Sequence, residues 1–361
     1  MEQTTEKSLW KRFVDRYLIQ GLNGMALGLF SSLIVGLIIK QIGGIIPGQA
    51  GALLVFIGSL ASVMMGANIG VGSAYTLGAP RLIVFSSAIT GMMGAQAANY
   101  LNGKLMTEAG AFALAGAGDP LCAFLAVVAG VEIGRLVSGK TKIDVILTPI
   151  VTIVSGCLVA LLIGLPISRA MTALGQMIAV ATELQPFLMG IVLSVIMGII
   201  LTLPISSAAL SIILGLSGLA SGAATVGCSV QMIGFAVASF KENGWNGLFA
   251  QGLGTSMLQM PNIVRNPRVW LPTIITSAIL GPVATCVCHM ENNAAGGGMG
   301  TSGLVGQLMT WQTMAPTTPK GLLLTEILLL HFILPALLCL FFDRLLRKKG
   351  WIKDGDLKLE S

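Results

Sequence analysis

A backbone that crosses hydrocarbon has to satisfy its own N–H and C=O groups, so a run of about 20 apolar residues admits little besides a membrane-spanning helix. This chain carries such runs near 18–40, 51–75, 82–100, 119–137, 143–165, 185–203, 204–221, 223–240, 269–289 and 322–343. Only 10% of its 361 residues are charged, against about 25% in soluble domains. The expected fold is therefore an all-α polytopic membrane protein with about ten transmembrane helices. Its 46 glycines suit such a fold, because small residues let helix backbones approach closely in lipid.

The basic residues orient it. Lys7, Lys11, Arg12 and Arg16 precede the first run, and Arg344, Arg347, Lys348, Lys349 and Lys353 follow the last. Both ends are then expected on the cytoplasmic side, which requires an even number of crossings. Arg81, the Arg135/Lys140/Lys142 group and Lys241 fall inside on the same count, and 41–50, 101–118 and 166–184 fall outside. Trp10, Tyr17 and Trp351 stand where interfacial anchors are expected. The net charge of +6 sits at chain ends and helix boundaries, so the bilayer is the partner it implies, and no nucleic acid is expected. Six cysteines lie in apolar surroundings without a C-x-x-C pair, so neither a disulfide framework nor a metal site is expected. No cleavage pattern follows the first run.

The division expected from composition is a cytoplasmic segment 1–17, a regular half 18–165, an amphipathic linker helix 166–184 at the outer surface, an irregular half 185–343 and a cytoplasmic tail 344–361. A weak internal likeness relates 58–72 to 216–230.

The irregular half holds the most polar backbone, from Gly254 to Gly303, on both sides of one apolar run. Pro261, Pro267, Pro272 and Gly296-Gly297-Gly298 can lie at membrane depth only where protein or a water-filled cavity surrounds them. Two readings stand for 253–268: a re-entrant loop that turns Ser256, Gln259 and Asn262 toward a cavity, or a plain cytoplasmic loop. His289, Glu291, Asn292 and Asn293, with Thr301 and Ser302 close behind, are read as hydroxyl-binding groups, since amides donate and accept alike; the other reading is a solvated outer loop. Asn68, in a glycine-broken helix, either lines the cavity or bonds a neighbouring carbonyl. Glu132 has Arg135 three residues on, which favours an intrahelical pair over a substrate carboxylate. There is no P-loop, H-E-x-x-H or G-x-S-x-G, and only two histidines, of which His331 reads as packing. No catalytic residue or cofactor is expected.

The run Gly254-Thr255-Ser256-Met257-Leu258-Gln259-Met260-Pro261-Asn262, followed by Asn266-Pro267-Arg268-Val269-Trp270-Leu271-Pro272, resembles the G-I-T-E-G-A-I-P-F signature and D-P-x-R-V-I-P element of the IIC membrane component of the bacterial phosphotransferase system. Leu203-Pro204-Ile205-Ser206-Ser207-Ala208-Ala209 resembles that family's G-P-I-N-K-A-A element. The likeness covers most of 50–310 and is closest to the fructose-type branch of the glucose superfamily, in particular to stand-alone perfringolysin-regulator-like proteins. It implies a homodimer in the cytoplasmic membrane, with a scaffold and interface domain, a mobile transport domain with re-entrant hairpins, and a sugar handed to a cytosolic IIB-type protein. The tail after Phe342 is too short for a phosphoacceptor domain, so fused IIA and IIB domains are not expected. The family glutamate falls on Met257, and its Asn and Lys on Ser206 and Ser207.

Two functions follow. One is an elevator-type permease for a small polar solute, a sugar or polyol; the other is a membrane sensor that keeps the fold. The solute is expected between 204–209, 254–262 and 289–302, and a hexose is expected to bind more weakly than in the resembled family.

Overall fold

The structure, a computed structural model, describes residues 12–105, 114 and 116–359. Most of the expected 1–17 segment, including Lys7, Trp10 and Lys11, lies outside the described residues. The described chain is helical: α1 Val14–Gly44, α2 Gln49–Val63, α3 Met65–Thr76, α4 Arg81–Leu101, α5 Pro120–Val137, α6 Asp144–Thr182, α7 Pro186–Thr202, α8 Ser207–Ile213, α9 Gly218–Ala238, α10 Phe240–Phe249, α11 Met260–Arg265, α12 Pro267–Val287, α13 Val305–Met314 and α14 Lys320–Lys348.

By length and composition, six of these can cross a membrane among the described residues: α1, α5, α9, α12, α14 and the Asp144–Met171 part of α6. The bent pair α2 and α3 makes a seventh if it counts as one span. Helix α4 is long enough at 21 residues but carries Ser86, Ser87, Thr90 and Gln96 on buried positions; α7 is short at 17 residues. The expected crossing at 204–221 does not form. Residues 207–213 make a 7-residue helix, which rises only about 10 Å at 1.5 Å per residue. Gly215 and Gly218 then take φ of +60° and +57°, a left-handed backbone that ends one helix before the next begins. The expected linker 166–184 is not a separate helix either. The 39-residue α6 runs through Pro166 to Thr182, because Ala-, Leu- and Met-rich turns after the proline are strong helix formers.

The chain forms two compact units. The first comprises residues up to 31 together with 63–165, so residues 32–62, read as part of the regular half, pack with the second unit instead. Within the first unit the helices touch backbone to backbone. A Cβ on Gly91 would collide with the carbonyl oxygen of Gly66, and one on Gly28 with that of Asn68. Around these contacts Ala74, Leu77, Ile83, Val127 and Val131 form a dry cluster. Glu132 is 2.7 Å from Arg16 Nη2 and 3.8 Å from Arg135 Nη1, so it is shared between two arginines rather than held within one helix.

The second unit, 32–62 and 166–361, is built around α9, whose residues 220–232 are all buried. A helix that is hydrophobic on every side belongs in an interior. One face joins Ala224, Cys228 and Met232 to Leu193 and Met197 of α7. The other joins Val226 and Val230 to Leu280, Leu323 and Leu330. Residue size decides these approaches, since a Cβ on Gly227 would strike the carbonyl oxygen of Ser194.

The packing predicts a pair of outcomes. Gly91→Val should destabilise the protein by about 1–3 kcal/mol or more, since a carbonyl rather than a flexible side chain must move. Gly321→Ala, where nothing stands within 4 Å, should be neutral or stabilising by up to about 1 kcal/mol. Thermal unfolding of both variants in detergent checks this, and a Gly91→Val protein as stable as the parent would contradict the close approach.

Candidate functional site

The hairpin 289–304 enters the second unit beside α9 and has no regular partner for its backbone. Its hydrogen bonds come from side chains and helix ends. Met290 N donates to Ala284 O at 2.8 Å, and Asn292 N to Gly218 O at 3.2 Å. Ser221 Oγ donates to Asn293 O at 2.7 Å, and Ser207 Oγ reaches over from α8 to Gly298 O at 2.6 Å. Thr301 Oγ1 donates to the carbonyl of Gly252. Asn292 is the central strut: its Nδ2 donates to Thr225 Oγ1 at 2.8 Å and to Gly306 O at 3.1 Å, and its Oδ1 accepts from Asn293 N at 2.8 Å. Asn293 in turn caps the turn Ala294–Gly297 by accepting from Ala295 N and Gly296 N. Such Asx caps satisfy amides that the first turn leaves open.

Residues 289 and 304 bracket this hairpin with positive φ, +44° for His289 and +58° for Leu304. Non-glycine residues enter that region at a cost of about 1–3 kcal/mol, so the hairpin's packing holds both ends in place. His289 and Glu291 are themselves exposed and face away from the buried strut.

A second cluster lies where α7, α9 and α12 meet. Gln231 Oε1 accepts from Trp270 Nε1 at 2.9 Å, Thr273 Oγ1 at 2.8 Å and Thr202 Oγ1 at 3.4 Å. Thr202 Oγ1 also lies 2.8 Å from Ser256 Oγ. The Trp270 indole N–H can only donate, so the atom it meets is the amide oxygen, and Gln231 Nε2 is left buried with no partner. The buried atoms Ser211 Oγ, Ser302 Oγ and Gln307 Oε1 are also unpartnered. Gln307 Nε2 lies 3.1 Å from His331 Nδ1 and 3.4 Å from Ser229 Oγ.

The third cluster is a ladder of side-chain amides. Gln251 Nε2 donates to Ser239 Oγ at 2.9 Å, Gln259 Nε2 to Gln251 Oε1 at 2.8 Å, and Asn262 Nδ2 to Gln259 Oε1 at 2.8 Å. Gln251 donates a second time to Gly247 O at 3.0 Å, whereas the second acceptors of the other two lie in the chain's own tail: Gln259 donates to Leu357 O at 3.0 Å and Asn262 to Lys358 O at 2.9 Å. Gln259 and Asn262 therefore use their donors inside the protein.

The residues read from the sequence thus divide. Ser207, Ser256, Asn292, Asn293, Thr301 and Ser302 come together through the contacts of 202–207, 252–256 and 289–302 around α9. Ser206 is half-buried at the start of the same turn. Gln259 and Asn262 face the tail, and His289 and Glu291 are exposed. Asn68 belongs to the first unit, where its Nδ2 lies 3.4 Å from Met64 O, the second of its two readings. Sequence reasoning missed Gln231, Ser211 and Gln307. The signal for Gln231 was available, an uncharged amide in the middle of an apolar run, since polar side chains inside membrane helices are expensive and mark function.

Comparison with known proteins agrees with this architecture at the level of family. Neither the curated proteins nor the solved structures contain a match to the chain. The profile of one family, described as phosphotransferase system, EIIC, matches residues 19–359, nearly the whole chain and both units. This multi-pass membrane protein accordingly belongs to the phosphotransferase system EIIC family, the membrane-embedded sugar-transport components of that system.

Proposed function

We propose that the protein is an elevator-type permease for a small neutral solute rich in hydroxyls, a sugar or polyol, bound where 204–209, 254–262 and 289–302 meet α9. Its family membership over 19–359 carries this reading, and the chemistry of the interior supports it. Among the described residues of the second unit, the polar side chains buried whole are hydroxyls, amides and one imidazole besides Asp343, and the nearly buried Glu242 carboxylate pairs with Arg347 at 3.0 Å. Asp343 is tied to Arg347 at 2.7 Å. A charged solute would find no counter-ion there, and a buried charge without a partner is costly. A hydroxyl both donates and accepts, which is what the unpartnered Gln231 Nε2, Gln307 Oε1 and Ser302 Oγ lack.

In this reading Asn292, Asn293, Ser207 and Thr301 build the walls, and the unpartnered groups meet the solute. Both termini lie in the cytoplasm, and a cytosolic IIB-type protein receives the sugar. The protein works as a homodimer joined mainly through residues 18–165, of which 18–31 and 63–165 belong to the first unit, whose backbone-to-backbone helix packing suits a fixed scaffold.

In a thermal-shift panel of sugars, polyols and small carboxylates, a sugar or polyol should stabilise the purified protein and the carboxylates should not. Proteoliposome uptake of the best ligand, with and without a cytosolic phosphoryl donor, separates transport from sensing: saturable binding with no uptake in either condition would overturn the permease reading. Ser302→Ala removes a hydroxyl without an internal partner, so stability should stay within about 0.5 kcal/mol while ligand affinity falls by about 1 kcal/mol, or fivefold. Asn292→Ala should instead lower stability by about 1–3 kcal/mol, since Asn293 N loses its side-chain acceptor and the cross-links to Thr225 and Gly306 go with it. If both variants bind like the parent, the solute lies elsewhere. Cross-linking that joins subunits only through residues beyond 185 would contradict the proposed dimer.

A further inference from the structure

After α14 ends at Lys348, the chain turns at Gly350, with φ +69°, and residues 351–359 fold back over α10 and α11. They do so as a ligand does, through main-chain atoms. Leu357 O accepts from Asn243 Nδ2 at 2.9 Å and from Gln259 Nε2 at 3.0 Å, Lys358 O accepts from Asn262 Nδ2 at 2.9 Å, and Leu359 N donates to Asn243 Oδ1 at 2.8 Å. Trp351 O accepts from Asn266 Nδ2 at 3.1 Å, and the same amide reaches Asp356 Oδ2 at 2.8 Å.

Side-chain recognition is added at spaced points. Ile352 and Leu357 are 2% and 1% exposed, so each fills a socket. Asp354 pairs with Lys241 and with Arg347, each at 3.0 Å. Arg268 lies 5.6 Å from the centre of the Trp351 ring. The segment is itself folded as a turn, with Asp356 N donating to Lys353 O and Lys358 N to Gly355 O, each at 3.1 Å, so main-chain hydrogen bonds hold a turn-shaped peptide while two sockets take its apolar side chains. Most of the grip is polar, and Lys241 and Asp354 are about three-quarters exposed, so salt screens that pair. The ladder's own amides are already linked to one another without the tail, from Ser239 through Gln251 and Gln259 to Asn262. It is a preorganised row of donors.

We propose that this amide ladder is a peptide-binding site whose resident ligand is the chain's own 351–359 segment, with an apolar-acidic-acidic-apolar pattern at Ile352, Asp354, Asp356 and Leu357. While seated, the segment ties 240–266 to the end of α14. When it leaves, the donors of Asn243, Gln259 and Asn262 are open to another turn-forming acidic peptide, and the 254–262 segment is released. That last consequence rests on the reading of 254–262 as one wall of the solute site; the binding itself does not.

The test uses no solute, so its failure is distinct from failure of the transport reading. A protease site inserted after Gly350 lets the full chain fold before the tail is cut. Fluorescent peptide 351–361 is then added in detergent and its anisotropy followed. The cut protein should bind the peptide saturably, and the uncut protein should bind at least tenfold more weakly because its site is filled. A peptide with Leu357→Ala and Asp356→Ala should bind the cut protein at least tenfold more weakly, as should the wild-type peptide with cut protein carrying Asn262→Leu. Raising salt to about 1 M should weaken the complex. Amide exchange across 255–266 should rise on cutting and removing the tail, and fall when peptide is restored. Equal binding to cut and uncut protein, no binding to a cut protein that stays monodisperse, or indifference to both sets of substitutions would each overturn the proposal.

Discussion

The second unit depends on satisfying the backbone of an irregular hairpin that lies against α9. Residues 289–304 form no helix long enough to close their own hydrogen bonds, and water cannot serve them where the surroundings are dry. The solution is to place short polar side chains along α9 and α8 at the positions where hairpin carbonyls arrive. Ser221 meets Asn293 O and Ser207 meets Gly298 O. Gly222 lets the main chain at Met290 come close, because any Cβ there would collide with the Met290 carbonyl. Serine, threonine and glycine in α9 are therefore one device: small enough for approach, and polar enough to complete the partner's hydrogen bonds.

The two units use the same small residues differently. In the first, glycine contacts join regular helices to each other, and the buried hydroxyls mostly return to their own helix, as Ser86 Oγ does to Leu82 O and Ser87 Oγ to Ile83 O at 2.7 Å. Such a unit has little unused hydrogen-bonding capacity among its described residues. In the second, hydroxyls and amides cross between elements, and Gln231, Ser302 and Gln307 have capacity left over. Rigid helix packing suits a scaffold, and cross-bracing with spare polar groups suits a place where a solute is held.

How much of this could be read from the sequence depends on whether the cause is local. Nine of the ten apolar runs correspond to helices, because hydropathy over about 20 residues is a local property. The 204–221 run failed because average hydropathy does not register the left-handed backbone at Gly215 and Gly218. In the sequence, 204–209, 254–262 and 289–302 group together, since polar and glycine-rich segments at membrane depth have to be covered by protein; the contacts found join Ser207 to Gly298 and Thr301 to Gly252, while Gln259 and Asn262 turn to the tail. Which amides were spare was not legible. Gln259 and Asn262 look solute-facing until the tail is placed, and Asn262 and Lys358 are 96 positions apart. Pairings at that separation leave no periodic trace.

Met257 shows how these constraints combine. On the resemblance drawn from the sequence, the family's glutamate falls on this methionine, 4% exposed, on the turn that brings Ser256 Oγ to Thr202 Oγ1 at 2.8 Å. A carboxylate at such a place would need a cation or several donors to offset its lost hydration. The donors nearby are committed: Thr273 and Trp270 to Gln231, and Gln259 to Gln251 and Leu357. The thioether instead fills the space without asking for a partner. Removing the charge also removes a strong hydroxyl acceptor, so what remains for a solute in this unit is the weaker set of neutral oxygens, Gln307 Oε1 and Ser302 Oγ, with Gln231 Nε2 as donor. On the proposed reading, such a site holds a hydroxyl-rich solute less tightly than one that keeps a carboxylate, since every hydroxyl buried without a partner subtracts from affinity.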